Sequence, residues 1–301
     1  MTIRTSKIKC QKFNTLIILL FIVFISLTEC HSQVYSEADI EICNQKFQLA
    51  VKEDLKDRPI NQVVLEVGKS FIGTDYLAHA LEPEGKEQLV INLSGLDCTT
   101  LVENSLALSR CIKKGSASFD NYLAELEYIR YRDGVVSGYL SRLHYFSDWI
   151  TNNVAKGVVK DETFNLGGVP IKFNLDYMSS HSDDYPQLDE NDDLVTLIQI
   201  QEQEISERGY LYIPKTDFAS KESSIQGGEI IAITTTVEGL DIGHVGIAVK
   251  MDDGRIHLLH APTVDKKVQI TEEPLSDYLM KYKRHSGVIV LRVLEPSKIP
   301  D

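Results

Sequence analysis

Apolar positions recur at helical spacing through the first half of the chain, then alternate or run together in short segments through its last quarter. Ile40, Ile42, Phe47, Leu49 and Val51 cluster on one side of a helix expected over Ser36–Lys56, with Ser36 as its cap. A second helix is expected from about Pro59 to Phe71, stopped at Gly73. Residues 88–92 alternate and read as a short strand leading into a long helix that starts at Asp97-Cys98. That helix should end at Gly115, after Lys113 and Lys114, whose charges suit the negative end of the helix dipole. Phe119–Tyr131 repeats the pattern and is broken by Arg132-Asp133-Gly134. Ser141–Ile150 opens a further helix carrying Trp149, and Asp189–Glu207 gives another. Residues 165–175, with Gly167, Gly168 and Pro170, read as loop or edge strand.

After Gly227 the period changes. Residues 229–236, 243–250, 255–260 and 267–270 read as strands divided by glycines and by the Asp252-Asp253-Gly254 turn. A helix over 275–282 and a strand over 287–293 follow. Helices first and strands later predict an α+β protein, a helical lobe packed on a mostly antiparallel sheet. No composition break marks a linker, so residues 36–301 read as one domain with a helical insertion at about 116–226.

The first thirty residues fit none of this. Arg4, Lys7, Lys9 and Lys12 precede an apolar run from Leu16 to Leu27 that is too short to span a bilayer comfortably, the form of a secretion signal. Leu27-Thr28-Glu29-Cys30 has the spacing of a lipoprotein box, in which Cys30 would be lipidated and hold the protein to a membrane. Cleavage near Ser32 is the competing reading. Either places the protein in a bacterial envelope, in the periplasm or lipid-anchored.

A net charge of −13 argues against a nucleic-acid partner. No phosphate-binding glycine loop, dinucleotide fingerprint or paired Cys-x-x-Cys site is present, so no cofactor or metal is expected. The acidic run Asp189-Glu190-Asn191-Asp192-Asp193 lacks calcium-loop spacing. Of five cysteines, Cys10 falls within the leader. Cys43 and Cys111 could pair in an oxidising compartment, although Cys111 also reads as a small buried residue.

Chemistry concentrates at Cys98. Asp97 is placed to cap the helix, which puts Cys98 in the first turn, where the dipole favours an anion and lowers a thiol's pKa. A core cysteine would satisfy the same stretch. What separates the two is Gly243-His244-Val245-Gly246, a histidine at a strand start, and His260 on the next strand across the Asp253-Gly254 turn. One histidine can take the thiol proton and the other can orient it, a nucleophile–base–orienter set. His257 is three residues from His260 and so on the opposite face. His79, His181 and His285 read as structural or exposed.

Asp97-Cys98-Thr99-Thr100-Leu101-Val102 resembles the nucleophile motif of NlpC-type cell-wall cysteine peptidases. Gly243-His244-Val245-Gly246-Ile247 resembles their histidine motif, and Leu258-Leu259-His260-Ala261-Pro262 the segment of their third residue. Residues 130–134 and 141–150 are similar to a narrower branch, N-acetylmuramoyl-L-alanine amidase-like enzymes once grouped as a domain of unknown function. Thr99-Thr100 departs from the usual Ser-Gly pair, and Glu229 follows Gly228 where Asp is common.

The resemblance implies a papain-like (NlpC-type) fold and a cysteine amidase acting on peptidoglycan or muropeptide fragments. Cys98 would attack, His244 act as base and acid, and His260 orient it. The Cys98 backbone amide and the Tyr76 hydroxyl are candidate oxyanion or substrate donors. Arg142 and His144 are expected to contact substrate, since peptidoglycan stem peptides are carboxylate-rich. The alternatives are an endopeptidase cutting near L-Ala and γ-D-Glu, a non-catalytic wall-binding lipoprotein, and acyl transfer to lipids.

Overall fold

The structure is a computed structural model that describes residues 33–82 and 85–297. The leader, with Cys10 and Cys30, lies outside the described residues. After β1 (Gln33–Val34), Ser36 caps α1 (Glu37–Lys52) in a capping box with Asp39. α2 (Ile60–Lys69) starts after Pro59 and buries Ile60, Val63, Val64 and Val67. Short strands β2 (Asp75–Tyr76), β3 (Leu89–Val90) and β4 (Gly95–Leu96) precede α3 (Cys98–Lys114). Gly115, at φ 72°, ends α3 in the left-handed conformation that favours glycine.

α4 (Phe119–Arg130) and α5 (Phe146–Ala155) carry the chain to β5 (Val159–Asp161) and β6 (Val169–Ile171). The one-turn helix α6 (Tyr177–Ser180), α7 (Asp192–Ser206), β7 (Tyr210–Pro214) and α8 (Lys215–Phe218) follow. The sheet is completed by β8 (Ile230–Thr235), β9 (Ile242–Lys250), β10 (Ile256–His260) and β11 (Gln269–Ile270). α9 (Leu275–Lys281) and β12 (His285–Val293) close the chain.

The fold is mixed, and its main sheet is antiparallel throughout, in the order β11-β10-β9-β8-β12-β7-β6 with β5 added against β12. One face, with Val245, Ile247, Val249 and Leu259, joins the larger core built with the helices. The other, with Ile231, Ile233, Ala248 and Leu258, packs in a second core against Leu275 and Leu279 of α9. Gly68 lets α2 lie close to the sheet, because a Cβ there would stand 2.9 Å from Ile247 Cδ1.

The sequence pattern misses β5 and β7, short strands with no clear alternation. It also extends the fifth helix too far toward its N-terminus. Arg142 and His144 precede α5: Arg142 pairs with Tyr131 in an isolated β-bridge, and a His144 ring nitrogen lies 2.9 Å from the Tyr139 carbonyl. Cys43 and Cys111 are buried and free, with no disulfide between them. No described helix is long and apolar enough to cross a membrane.

Candidate active site

Cys98 opens α3 because Asp97 stops the preceding strand. The Asp97 carboxylate accepts the Thr100 amide at 2.7 Å, and the Thr100 hydroxyl accepts the Asp97 amide at 2.9 Å, closing a capping box. Beyond the first turn the helix is held by Leu101, Val102, Leu106 and Leu108, all fully buried. Glu103 is buried with Arg130, whose Nε lies 2.7 Å from its carboxylate, and Trp149 Nε1 donates to its other oxygen at 3.2 Å. The nucleophile candidate therefore sits on an element fixed by packing and by a buried ion pair.

His244 comes from β9. The register skips Gly243, since Ile233 pairs with His244 and Thr234 with Ile242, so a β-bulge sits immediately before the histidine. Bulges re-aim side chains at strand ends. Leu259 pairs with Ile247, which sets His260 opposite Gly246 and diagonal to His244 on the same face. A Cβ at Gly246 would stand 2.7 Å from the Leu259 carbonyl oxygen, so glycine is needed for β9 and β10 to approach here. His244 Nε2 and His260 Nδ1 are 2.8 Å apart. With the shared proton on His244 Nε2, His244 Nδ1 is left as a free base.

Cys98, Thr99, His144, Asp241 and His244 line one small cavity of about 110 Å³. Two larger cavities flank it. One, of about 650 Å³, includes His244, His260, Tyr278 and His285; the other, of about 350 Å³, includes Tyr76, Thr99, Arg142 and His144. The small cavity shares His244 with the first and His144 with the second, so a cleft runs on both sides of Cys98.

The electrostatics correct one sequence expectation. Burial, followed by the charge of Asp97, pushes the Cys98 thiol up to about 11, against the opposing hydrogen bonds from the Val245 and Thr99 backbone. Desolvation penalises the thiolate, and the adjacent capping carboxylate repels it. Burial, then His260 and His285, lowers His244 to about 3, and burial lowers His260 to about 4. The resting pair is thus a neutral thiol beside neutral imidazoles.

Tyr76 is fixed from both sides. It pairs with Leu96, one residue before Asp97, and its amide donates to the Lys266 carbonyl at 2.7 Å. Burial, then Cys98 and Asp97, pushes its hydroxyl up to about 12, so it remains a donor.

Arg142 lines the cleft, but protein acceptors occupy its guanidinium. Nη2 donates to Glu82 at 2.6 Å, Nη1 to the Leu81 carbonyl at 2.9 Å, and Nε lies 3.2 Å from Glu87. At 5% exposure it has little surface left for a substrate carboxylate. His144 is kept neutral by burial and by Arg142. With a proton on Nε2 for Tyr139, its Nδ1 is an acceptor at the cleft.

His257 faces away from the site, its Nδ1 2.7 Å from the Thr271 carbonyl. Three residues of the cleft carry no sequence signal. Asp241, 1% exposed, binds the Ser147 amide at 2.7 Å and so ties the start of β9 to α5. Tyr278 stacks edge-on against His260, and His285 opens β12 within the larger cavity. In the sequence His285 reads as structural or exposed, because nothing in its neighbourhood resembles a site.

A family profile described as AmiA-like, N-acetylmuramoyl-L-alanine amidase-like, matches residues 66–288. A Bacteroides uniformis N-acetylmuramoyl-L-alanine amidase of solved structure is 39% identical, with a TM-score of 0.74 over 78% of this chain and 99% of that one. A Bacteroides fragilis protein named as a candidate xylanase is 38% identical, with a TM-score of 0.72 over 76% and 100%. A Legionella pneumophila protein shares the fold at 23% identity, with a TM-score of 0.65 over 87% and 98%. No curated protein sequence matches significantly.

Proposed function

The chain belongs to the AmiA-like family of N-acetylmuramoyl-L-alanine amidase-like proteins, and from that membership we propose a cysteine amidase that cleaves the bond between N-acetylmuramic acid and L-alanine. The observation that carries the cysteine chemistry is His244, which lines one cavity with Cys98 and is hydrogen-bonded to His260 at 2.8 Å. The fold we assign to it is papain-like, of the NlpC type: a nucleophile at a helix start against a sheet that supplies base and orienter.

Since thiol and imidazole are both neutral, proton transfer accompanies attack. The Cys98 sulfur bonds to the lactyl carbonyl carbon as its proton passes to His244 Nδ1. The Cys98 amide and the Tyr76 hydroxyl supply donors for the oxyanion. His244 returns the proton to the alanine nitrogen as the C–N bond breaks, releasing the stem peptide and leaving a thioester. Water, deprotonated by His244, then hydrolyses the thioester and frees the thiol. His260 keeps the ring aligned by accepting the hydrogen bond from His244 Nε2–H. Arg142 holds Leu81 and Glu82 in the wall of the cleft, and His144 accepts a substrate N–H.

The leader agrees with a site of action in the bacterial envelope.

Cys98→Ala should abolish release of free stem peptide from defined muropeptides, read by mass spectrometry. An unchanged rate would sink the cysteine mechanism, and trimmed stems still joined to sugar would point to the endopeptidase.

A further inference from the structure

The mechanism leaves the 650 Å³ cavity beyond His244 unused, along with a half-buried histidine in its wall. His285 stands at the first position of β12, where the register with β8 is irregular. Its ring packs 5.5 Å from Tyr278, which in turn lies 5.5 Å from His260, so the Tyr278 ring connects it to the catalytic pair.

Nδ1 of His285 is buried with no hydrogen-bond partner. A proton there would be an orphaned donor, rarer and costlier in folded proteins than an orphaned acceptor, so the proton belongs on Nε2. Nε2 has no partner among the described residues and is not among the enclosed atoms. It is therefore an unused N–H donor on a residue of the cavity wall. Burial lowers this histidine to about 4, which leaves the ring uncharged at neutral pH.

The rest of the wall restricts what can sit there. Lys281 is committed to Glu273 at 2.7 Å, and Asp265 is met by Gln269 at 2.7 Å, an uncharged partner. Glu272 adds a further carboxylate, so the cavity is net acidic and repels carboxylates. Tyr282 and Tyr278 add aromatic surface, the material on which sugar rings stack.

We propose that His285 is a substrate-binding residue whose Nε2–H donates to a hydroxyl or acetamido oxygen of the muramoyl sugar, and that this cavity takes the uncharged glycan half of the substrate. The stem peptide, which keeps its carboxylates, then lies on the far side of Cys98, toward Tyr76 and His144. This assignment of the two halves rests on the amidase reading above.

The test uses the full chain carrying Cys98→Ala, with two probes: an N-acetylmuramoyl amide lacking peptide, and the free stem peptide. Calorimetry is expected to show sugar-probe affinity about tenfold weaker in His285→Phe and partly restored in His285→Gln, whose amide also donates. Stem-peptide affinity should be unchanged in both. Tyr282→Ala, at a side chain 37% exposed and so tolerated by the fold, should weaken the sugar probe alone. Equal weakening of both probes, or weakening of the peptide alone, would overturn the proposal. The amidase reading is checked separately by product analysis on the unsubstituted chain. Hydrolysis there, with the wrong probe affected, condemns only this assignment. Absent hydrolysis with the sugar contrast intact condemns only the amidase.

Discussion

At neutral pH, iodoacetamide should alkylate Cys98 about 100-fold more slowly than an ordinary thiol, and the rate should climb tenfold per pH unit without an acidic plateau. The perturbation is pH, and the magnitude comes from the site. Burial and the Asp97 carboxylate push the thiol from 9.0 up to about 11, which cuts its thiolate population about 100-fold at pH 7. His244, lowered to about 3 chiefly by burial, does not hold a positive charge that would stabilise the thiolate. Cys98 is half-buried and reachable by a small reagent, whereas Cys43 and Cys111 are fully buried.

The assay is peptide-resolved mass spectrometry of alkylation from pH 5 to 10. His244→Ala should leave the resting alkylation rate within a few-fold while abolishing muropeptide hydrolysis, because the base acts only during attack. A rate flat from pH 5 to 8 that collapses in His244→Ala would mean a standing thiolate–imidazolium pair. The reasoning from desolvation would then be wrong.

Two further outcomes concern the scaffold. Glu103→Leu strands the buried Arg130 guanidinium and should cost about 3–5 kcal/mol, lowering Tm by about 6–20 °C. Urea unfolding followed by Trp149, the only tryptophan, reads this directly. Glu103→Leu with Arg130→Leu should recover most of the loss, and a single-variant loss under about 1 kcal/mol would refute the buried-pair argument. The fold should also weaken in mild acid. His260 is 2% exposed and held down to about 4 by burial. The unfolded chain takes up a proton below about 6.5 while the folded ring does not, so stability falls as pH drops through that value, by about 2 kcal/mol at pH 5 from this ring alone. His244 and His285, also lowered, act in the same direction, while Asp241, raised by burial, opposes them. A urea midpoint no lower at pH 5 than at pH 7 contradicts this.

Local chemistry made much of this protein legible in its sequence. Ser36, Asp97 and Gly115 are helix caps whose meaning depends on neighbours within a few residues, and the structure uses all three as caps. The hairpin between His244 and His260 was readable from an alternating pattern and a Gly-containing turn, which also fix register. The placement of Arg142 and His144 was not. A helical pattern near Trp149 was extended over a segment that the Tyr131 bridge and the Tyr139 carbonyl hold extended.

What only the tertiary structure decided are quantities that sum over distant residues. The pKa of Cys98 depends on burial beneath β9 as well as on the Asp97 carboxylate that caps α3, and burial is the larger of the two. Whether Arg142 is free depends on Glu82 and Glu87, brought to it by the loop before β3. His285 acquires a role only because β12 lies beside β8 and α9 sets Tyr278 between it and His260. Sequence spacing encodes caps, turns and faces because they are short-range. Desolvation, ion-pair saturation and cavity walls exist only once the chain has closed on itself.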